Sequence, residues 1–282
     1  MGCAEVVPGI SGGTIALVVG VYDRLLLTIR ASFSAALAAI RLDLPAARGH
    51  LSEVHWGLIV PLMAGMAVAL LAGAAVIPPL LDRYPHESSA LFFGLILASL
   101  VVPWRMWKRR RVAHVVVVAG AALLAFLLTG LPEREVAEPS HVLVFVAAAF
   151  AICALTLPGV SGSYLLLALG LYAPTLEAVN ERDFAYLAVF AAGALIGLGT
   201  FARVLVRLLR DHRDVTVAAL LGLMVGSLRA LWPWSAADGA LLAPPGESSA
   251  VLPALLMALC GIAAVLTLVW VEHRRSGDTL SS

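Results

Sequence analysis

Residues 6–14, Val-Val-Pro-Gly-Ile-Ser-Gly-Gly-Thr, and residues 156–164, Thr-Leu-Pro-Gly-Val-Ser-Gly-Ser-Tyr, decide how the chain is read. Offset by 150 residues, Pro8, Gly9, Ser11 and Gly12 fall on Pro158, Gly159, Ser161 and Gly162, and Gly20 and Tyr22 then fall on Gly170 and Tyr172. Each copy interrupts an apolar stretch. One proline and two glycines within five residues stop a helix and release backbone N–H and C=O groups. In lipid every such group is costly, so the break is tolerated only inside protein or facing a watery cavity.

The surroundings of the two motifs are those of a membrane protein. Of the 282 residues 61% are hydrophobic and 13% charged, whereas a soluble domain carries about 25% charged residues. So few charges could not cover a soluble surface, which excludes a disordered chain, a disulfide scaffold and a nucleic-acid-binding domain. Net charge is +1, and of the nineteen basic residues only Lys108 is not arginine. Cys3, Cys153 and Cys260 lie far apart in apolar sequence and show neither metal nor disulfide spacing. No cleavable signal peptide, cofactor or metal site is expected.

Runs of roughly 20 apolar residues predict spans at 56–81, 89–104, 112–131, 185–209, 217–234 and 250–271. The broken stretches 1–29 and 141–179 predict hairpins, each a re-entrant loop or two full passes. Stretches such as Val115–Val118 lack the alternation of barrel strands, so the expected fold is an all-α polytopic membrane protein. The basic segment 105–111 reads as cytoplasmic, the acidic 132–140 as external, Arg203–Arg213 as cytoplasmic, 235–249 as external and the tail from Glu272 as cytoplasmic. Both termini then lie in the cytoplasm, as does the loop 30–55, which has room for an interfacial helix.

A second offset, of 128 residues, aligns the following helices: Gly65 with Gly193, Gly94-Leu95 with Gly222-Leu223, Ser99-Leu100 with Ser227-Leu228 and Trp104 with Trp232. The chain therefore reads as two repeats, 1–131 and 141–271, each a broken hairpin followed by three spans. Three is odd, so the halves should be inverted relative to one another, as in many secondary transporters.

Ser11 and Thr14 are N-cap types for the helix resuming toward Tyr22, as are Ser161 and Ser163 for the one toward Tyr172. A helix N-terminus offers unpaired N–H donors and partial positive charge, which suits phosphate. The competing reading is a glycine-lined kink that lets helices pack closely. The expected phosphate-binding set is Ser11, Gly12, Gly13, Thr14, Ser161, Gly162 and Ser163, with Pro8, Gly9, Pro158 and Gly159 breaking the hairpins. Arg229, within the 217–234 span, is the candidate guanidinium for a phosphate, against outward snorkelling. Glu5 is read as a coupling-cation site (H+ or Na+) or an arginine partner, against a water-exposed chain end. Arg203 and Arg207 read as snorkelling anchors, and five of the tryptophans as an interface belt.

The run Gly2–Thr14, continued by Gly20-Val21-Tyr22, together with Leu157–Gly162 and Gly222–Ser227, resembles the signature of the bacterial polyprenyl-phosphate transporter family. That resemblance implies a translocase in the cytoplasmic membrane. It would return undecaprenyl phosphate from the outer to the inner leaflet for reuse in cell-envelope synthesis, with peptidoglycan recycling among its uses. Family members carry more apolar sequence before the first motif, so the first hairpin should lack most of the entering arm that 141–157 supplies to the second. Two other classes compete. Undecaprenyl-diphosphate phosphatases also hold phosphate in a Pro-Gly-x-Ser loop, but they follow the serine with arginine and carry paired glutamates. Here Gly12 and Gly162 stand at the arginine position and none of the six predicted spans holds a Glu-x-x-x-Glu pair. A small-anion channel or exchanger would also use broken-helix N-termini.

Overall fold

The computed structural model describes residues 11–109, 111–131, 136, 139–236, 240–246 and 248–278. The described chain is helical: α1 Gly12–Val18, α2 Tyr22–Ile40, α3 Leu44–Ser52, α4 Trp56–Arg83, α5 Pro85–Ser99, α6 Val101–Met106, α7 Val112–Leu128, α8 His141–Thr156, α9 Gly162–Ala168, α10 Tyr172–Glu181, α11 Phe184–Asp211, α12 Arg213–Ser227 and α13 Ser248–Asp278. No strand occurs among the described residues beyond one isolated bridge, Ser235 to Leu241. Among the described residues, four helical stretches are long and apolar enough to cross a membrane, or up to six if each sharply bent pair counts as one span.

The helix ends follow local chemistry. Asp183 accepts from the N–H groups of Ala185 and Tyr186, both at 3.0 Å, and starts α11. Asp43 and Ser140 cap α3 and α8 in the same way. Pro85 occupies the first turn of α5, where its missing N–H costs nothing, and it forces Tyr84 out of helical geometry. The element boundaries recur along the chain. Those of α4 and α5 reappear, shifted by 128, in α11 and α12; those of α1 and the start of α2 reappear, shifted by 150, in α9 and the start of α10.

Several extents differ from those predicted. The helix resuming after each motif is only seven residues long and stops at Val18 or Ala168 rather than running on to the tyrosine. Gly20 and Gly170 follow these helices with φ of 71° and 75°, and the chain turns there, by 103° between α9 and α10. Left-handed backbone is open to glycine and poorly open to other residues, so these glycines terminate the helices. The second arm of the first hairpin, α2, extends to Ile40, well past residue 29, and the interfacial-length helix α3 follows it. The 217–234 span ends as α-helix at Ser227 and continues as a 3-10 turn over Leu228–Leu231, so Arg229 lies in that turn. The 112–131 span ends at Leu128, where Thr129 turns its hydroxyl back to the Ala125 carbonyl at 2.8 Å.

The most extensive pairings join α5 to α13, α12 to α7, and α11 to α8. Glycines set their closeness. A Cβ on Gly94 would run into the Ala258 carbonyl on α13, and one on Gly222 into the Val118 carbonyl on α7. The central apolar cluster packs Ala16, Leu17, Tyr22, Leu25 and Leu26 against Leu205, Leu220 and Met224. It seats the first motif's helices on α11 and α12.

Candidate functional site

Backbone groups released by the second break find side-chain partners in the first hairpin. Thr14 and Ser11 are both fully buried. Thr14 Oγ1 accepts from the N–H of Gly159 at 3.0 Å, a bond from the first motif to the second. The Thr156 carbonyl, freed where α8 ends, accepts from the Tyr22 hydroxyl at 3.1 Å. Gly13 lies against that same carbonyl, where a Cβ would come within 2.5 Å of the oxygen. Ser11 Oγ accepts from the Gly13 N–H at 3.1 Å and caps α1. Buried polar groups are paired here as the cost of leaving them unpaired demands.

The second motif is packed differently. Pro158 is fully buried, and Gly159, at φ +86°, sits against the Cα of Met224 on α12, 2.6 Å from where a Cβ would stand. Ser161 occupies the N-cap of α9, yet its hydroxyl pairs with that of Ser163 at 2.9 Å instead of capping the helix. Gly162 is buried behind it. Beside this pair lies a small cavity of about 30 Å³, whose polar lining comes from Ser161, Tyr164, Thr129 and Ser227. The Tyr164 hydroxyl donates to the Thr129 carbonyl at 2.7 Å. That is room for roughly one or two waters.

Arg229 lies close by in sequence, between the cavity-lining residues Ser227 and Ala230. Its guanidinium packs on Gly130, stands 4.5 Å from the Phe126 ring centroid and donates to the Phe126 carbonyl at 3.1 Å. A cation at the C-terminal end of α7 is favoured by the carbonyl ends of that helix. Only a glycine at 130 admits it.

Of the residues expected from sequence, Ser11, Gly13, Thr14 and Gly159 are brought together, and Ser161 and Ser163 pair beside them. Glu5, Pro8 and Gly9 lie outside the described residues. Thr129, Tyr164 and Ser227 line the cavity and were not in the expected set. Ser227 carried a signal, since it matches Ser99 across the repeat; both hydroxyls bond back to a carbonyl of their own helix, at 2.9 and 2.6 Å. Tyr164 closes the second motif at the position that matches Thr14; Thr129 carried no signal.

Helices long and apolar enough to cross a membrane, meeting where the two motifs are hydrogen-bonded to each other, are the frame of a polytopic membrane protein. Comparison with known proteins specifies which kind. The chain belongs to the undecaprenyl phosphate translocase-like family, whose sequence pattern matches residues 1–249. A polyprenyl-phosphate transporter of Vibrio cholerae is 38% identical over 234 residues, covering 83% of this chain and 75% of that protein. A polyprenyl-phosphate transporter of Staphylococcus aureus is 30% identical over 252 residues, covering 83% of each. No solved structure matches the chain. The family and these relatives are named as transporters rather than enzymes, which sets aside the phosphatase reading.

Proposed function

We propose that the protein carries polyprenyl phosphate, undecaprenyl phosphate in particular, from the outer to the inner leaflet of a bacterial cytoplasmic membrane, with both termini in the cytoplasm. The observation that carries this is the direct bond between the two broken motifs, Thr14 to Gly159, beside the hydroxyls of Ser161 and Ser227. An anionic head crossing hydrocarbon needs donors that water no longer supplies. The head is captured by the hydroxyls and backbone amides of Ser11, Gly12, Gly13, Thr14, Ser161, Gly162 and Ser163. Arg229 supplies positive charge from the edge of the site. The apolar tail stays in lipid throughout, leaving between the repeats.

Two features support alternating access. The repeated element boundaries fit an inverted repeat, and the α5–α13 and α12–α7 pairings each join one half to the other as partners equivalent across that repeat. The cavity of about 30 Å³ is smaller than a phosphate head, so loading requires it to widen, and rocking one half against the other is the motion that widens it. The seven-residue length of α1 and α9 shifts the weight from helix dipoles toward hydroxyl and amide hydrogen bonds. Glu5 is the proposed coupling-cation site, for H+ or Na+, or the partner of a buried arginine.

The test is lipid co-purification read by mass spectrometry on the wild type, on Ser11→Ala/Ser161→Ala and on Arg229→Ala. Polyprenyl phosphate retained by the wild type and lost by the variants is the expected result. Equal retention in all three would overturn the site.

A further inference from the structure

Away from the broken motifs, a cavity of about 510 Å³ opens between α2, the end of α3 and the last turns of α11. Arg30, Arg203, Arg207 and Arg210 line it together with His50, against a single lining carboxylate, Glu53. Arg30 and Arg210 each have a carboxylate beside them, in Glu53 and Asp211. Arg203 and Arg207, one turn apart on α11, line the same hollow without one within ion-pair distance among the described residues, and their mutual repulsion favours an anion there. Snorkelling explains a basic side chain that turns outward at a helix end; it does not explain convergence on a shared cavity.

The cluster is partly held in place. Arg203 Nη2 donates to Ser34 Oγ at 3.1 Å, and its guanidinium lies 4.8 Å from the Phe33 ring centroid. Phe33 in turn fills the space left by the missing side chain of Gly199, one turn before Arg203. The available carboxylates neutralise the group only in part, Asp211 acting on Arg207 as well as on Arg210. Glu53 stands 3.7 Å from both Arg30 and His50 and is 52% exposed, a loose pairing. Arg210 is bound by its neighbour Asp211 at 2.8 Å. Arg207 forms no ion pair among the described residues. The repeat did not copy this cluster either. At the offset of 128, Arg203, Arg207 and Arg210 correspond to Ala75, Pro79 and Asp82.

We infer that this cavity is a second phosphate site, a holding site for the phosphate-monoester head of the transported lipid at one membrane surface. The choice of lipid rests on the function proposed above; the choice of a phosphate monoester rests on the cavity. A monoester carries close to two negative charges at neutral pH and three acceptor oxygens, enough to engage two guanidinium forks at once. A phosphodiester lipid carries one charge and fewer free oxygens. The head waits here, with its tail in the adjacent leaflet, before or after passing the broken motifs.

The test uses the full chain in nanodiscs of zwitterionic phosphatidylcholine, titrated with farnesyl monophosphate and read by native mass spectrometry. The wild type binds two equivalents. Arg203→Gln/Arg207→Gln loses one of them, its affinity falling about tenfold or more, and keeps the other. Ser161→Ala loses the other equivalent and keeps this one, so the two sites fail separately. Should the double variant not fold, Arg207→Gln alone replaces it, with the same loss expected. Unchanged binding in the arginine variants would overturn the site. Displacement by inorganic phosphate at equal concentration would assign it to free phosphate and overturn the lipid assignment. Displacement by phosphatidylglycerol at equal concentration would reduce it to general attraction for anionic lipid, which also overturns the proposal.

Discussion

At Gly159 the backbone is left-handed, and the Met224 backbone occupies the space a side chain would need. Gly159→Ala therefore meets both strain and collision. The expected loss is about 1–3 kcal/mol, read as a lower midpoint of thermal unfolding in detergent. Thr14 supplies the acceptor for the Gly159 N–H. Thr14→Val keeps shape but strands that donor, costing about 1–3 kcal/mol, while Thr14→Ser should retain most of the wild-type stability. Among single residues, Ser11 was legible: its type and place predict an N-cap, and its hydroxyl caps Gly13. Thr14 and Ser161 were read as caps too, but they turn to Gly159 and Ser163. Those partners come from a tertiary contact and from a competing hydroxyl two residues on, and neither appears in a capping pattern. Arg229 was placed in a helix; it caps the end of another, because Gly130 admits it and no periodicity reports that.

Between elements, the glycine pairings make opposite predictions for similar substitutions. Gly222→Ala drives a Cβ into the Val118 carbonyl and Gly94→Ala one into Ala258, so each should destabilise by about 1–3 kcal/mol. Gly65, the repeat counterpart of Gly193, has nothing within 4 Å of where a Cβ would stand. Gly65→Ala should leave stability unchanged or raise it by about 0.5–1 kcal/mol. Thermal melts of the three variants side by side check the contrast. The helices themselves were legible from apolar runs, since length and hydropathy are local properties. The bends at Gly20 and Gly170 were missed although both glycines had been aligned. Their match marks the repeat; their other role, ending a helix in left-handed backbone, is not something an alignment reports. The helix α3 was anticipated as an interfacial element of the 30–55 loop, but α2 reaches further into that loop than hydropathy suggests, because its later turns pack on α3 and α11.

For the whole molecule, the account predicts that Ser52 and Ser140 face opposite sides of the membrane. With Cys3, Cys153 and Cys260 replaced, Ser52→Cys should react with a membrane-impermeant thiol reagent only from the cytoplasmic side, and Ser140→Cys only from outside. Reaction of both from one side would contradict the inverted repeat. This layout is read from charge, which is expelled to loops and so records topology in the sequence itself. The expected phosphate-binding set drew on both motifs, so their meeting was legible; the bond that joins them, Thr14 to Gly159, was not, since its partners are fixed only once the helices pack. The central claim is that these interlocked motifs bind and move a lipid phosphate. Its most direct test is leaflet exchange of polyprenyl phosphate in proteoliposomes, comparing the wild type with a folded Ser11→Ala/Ser161→Ala variant. The account predicts rapid exchange by the wild type and loss of most of it in the variant; exchange at the wild-type rate in the variant would contradict it.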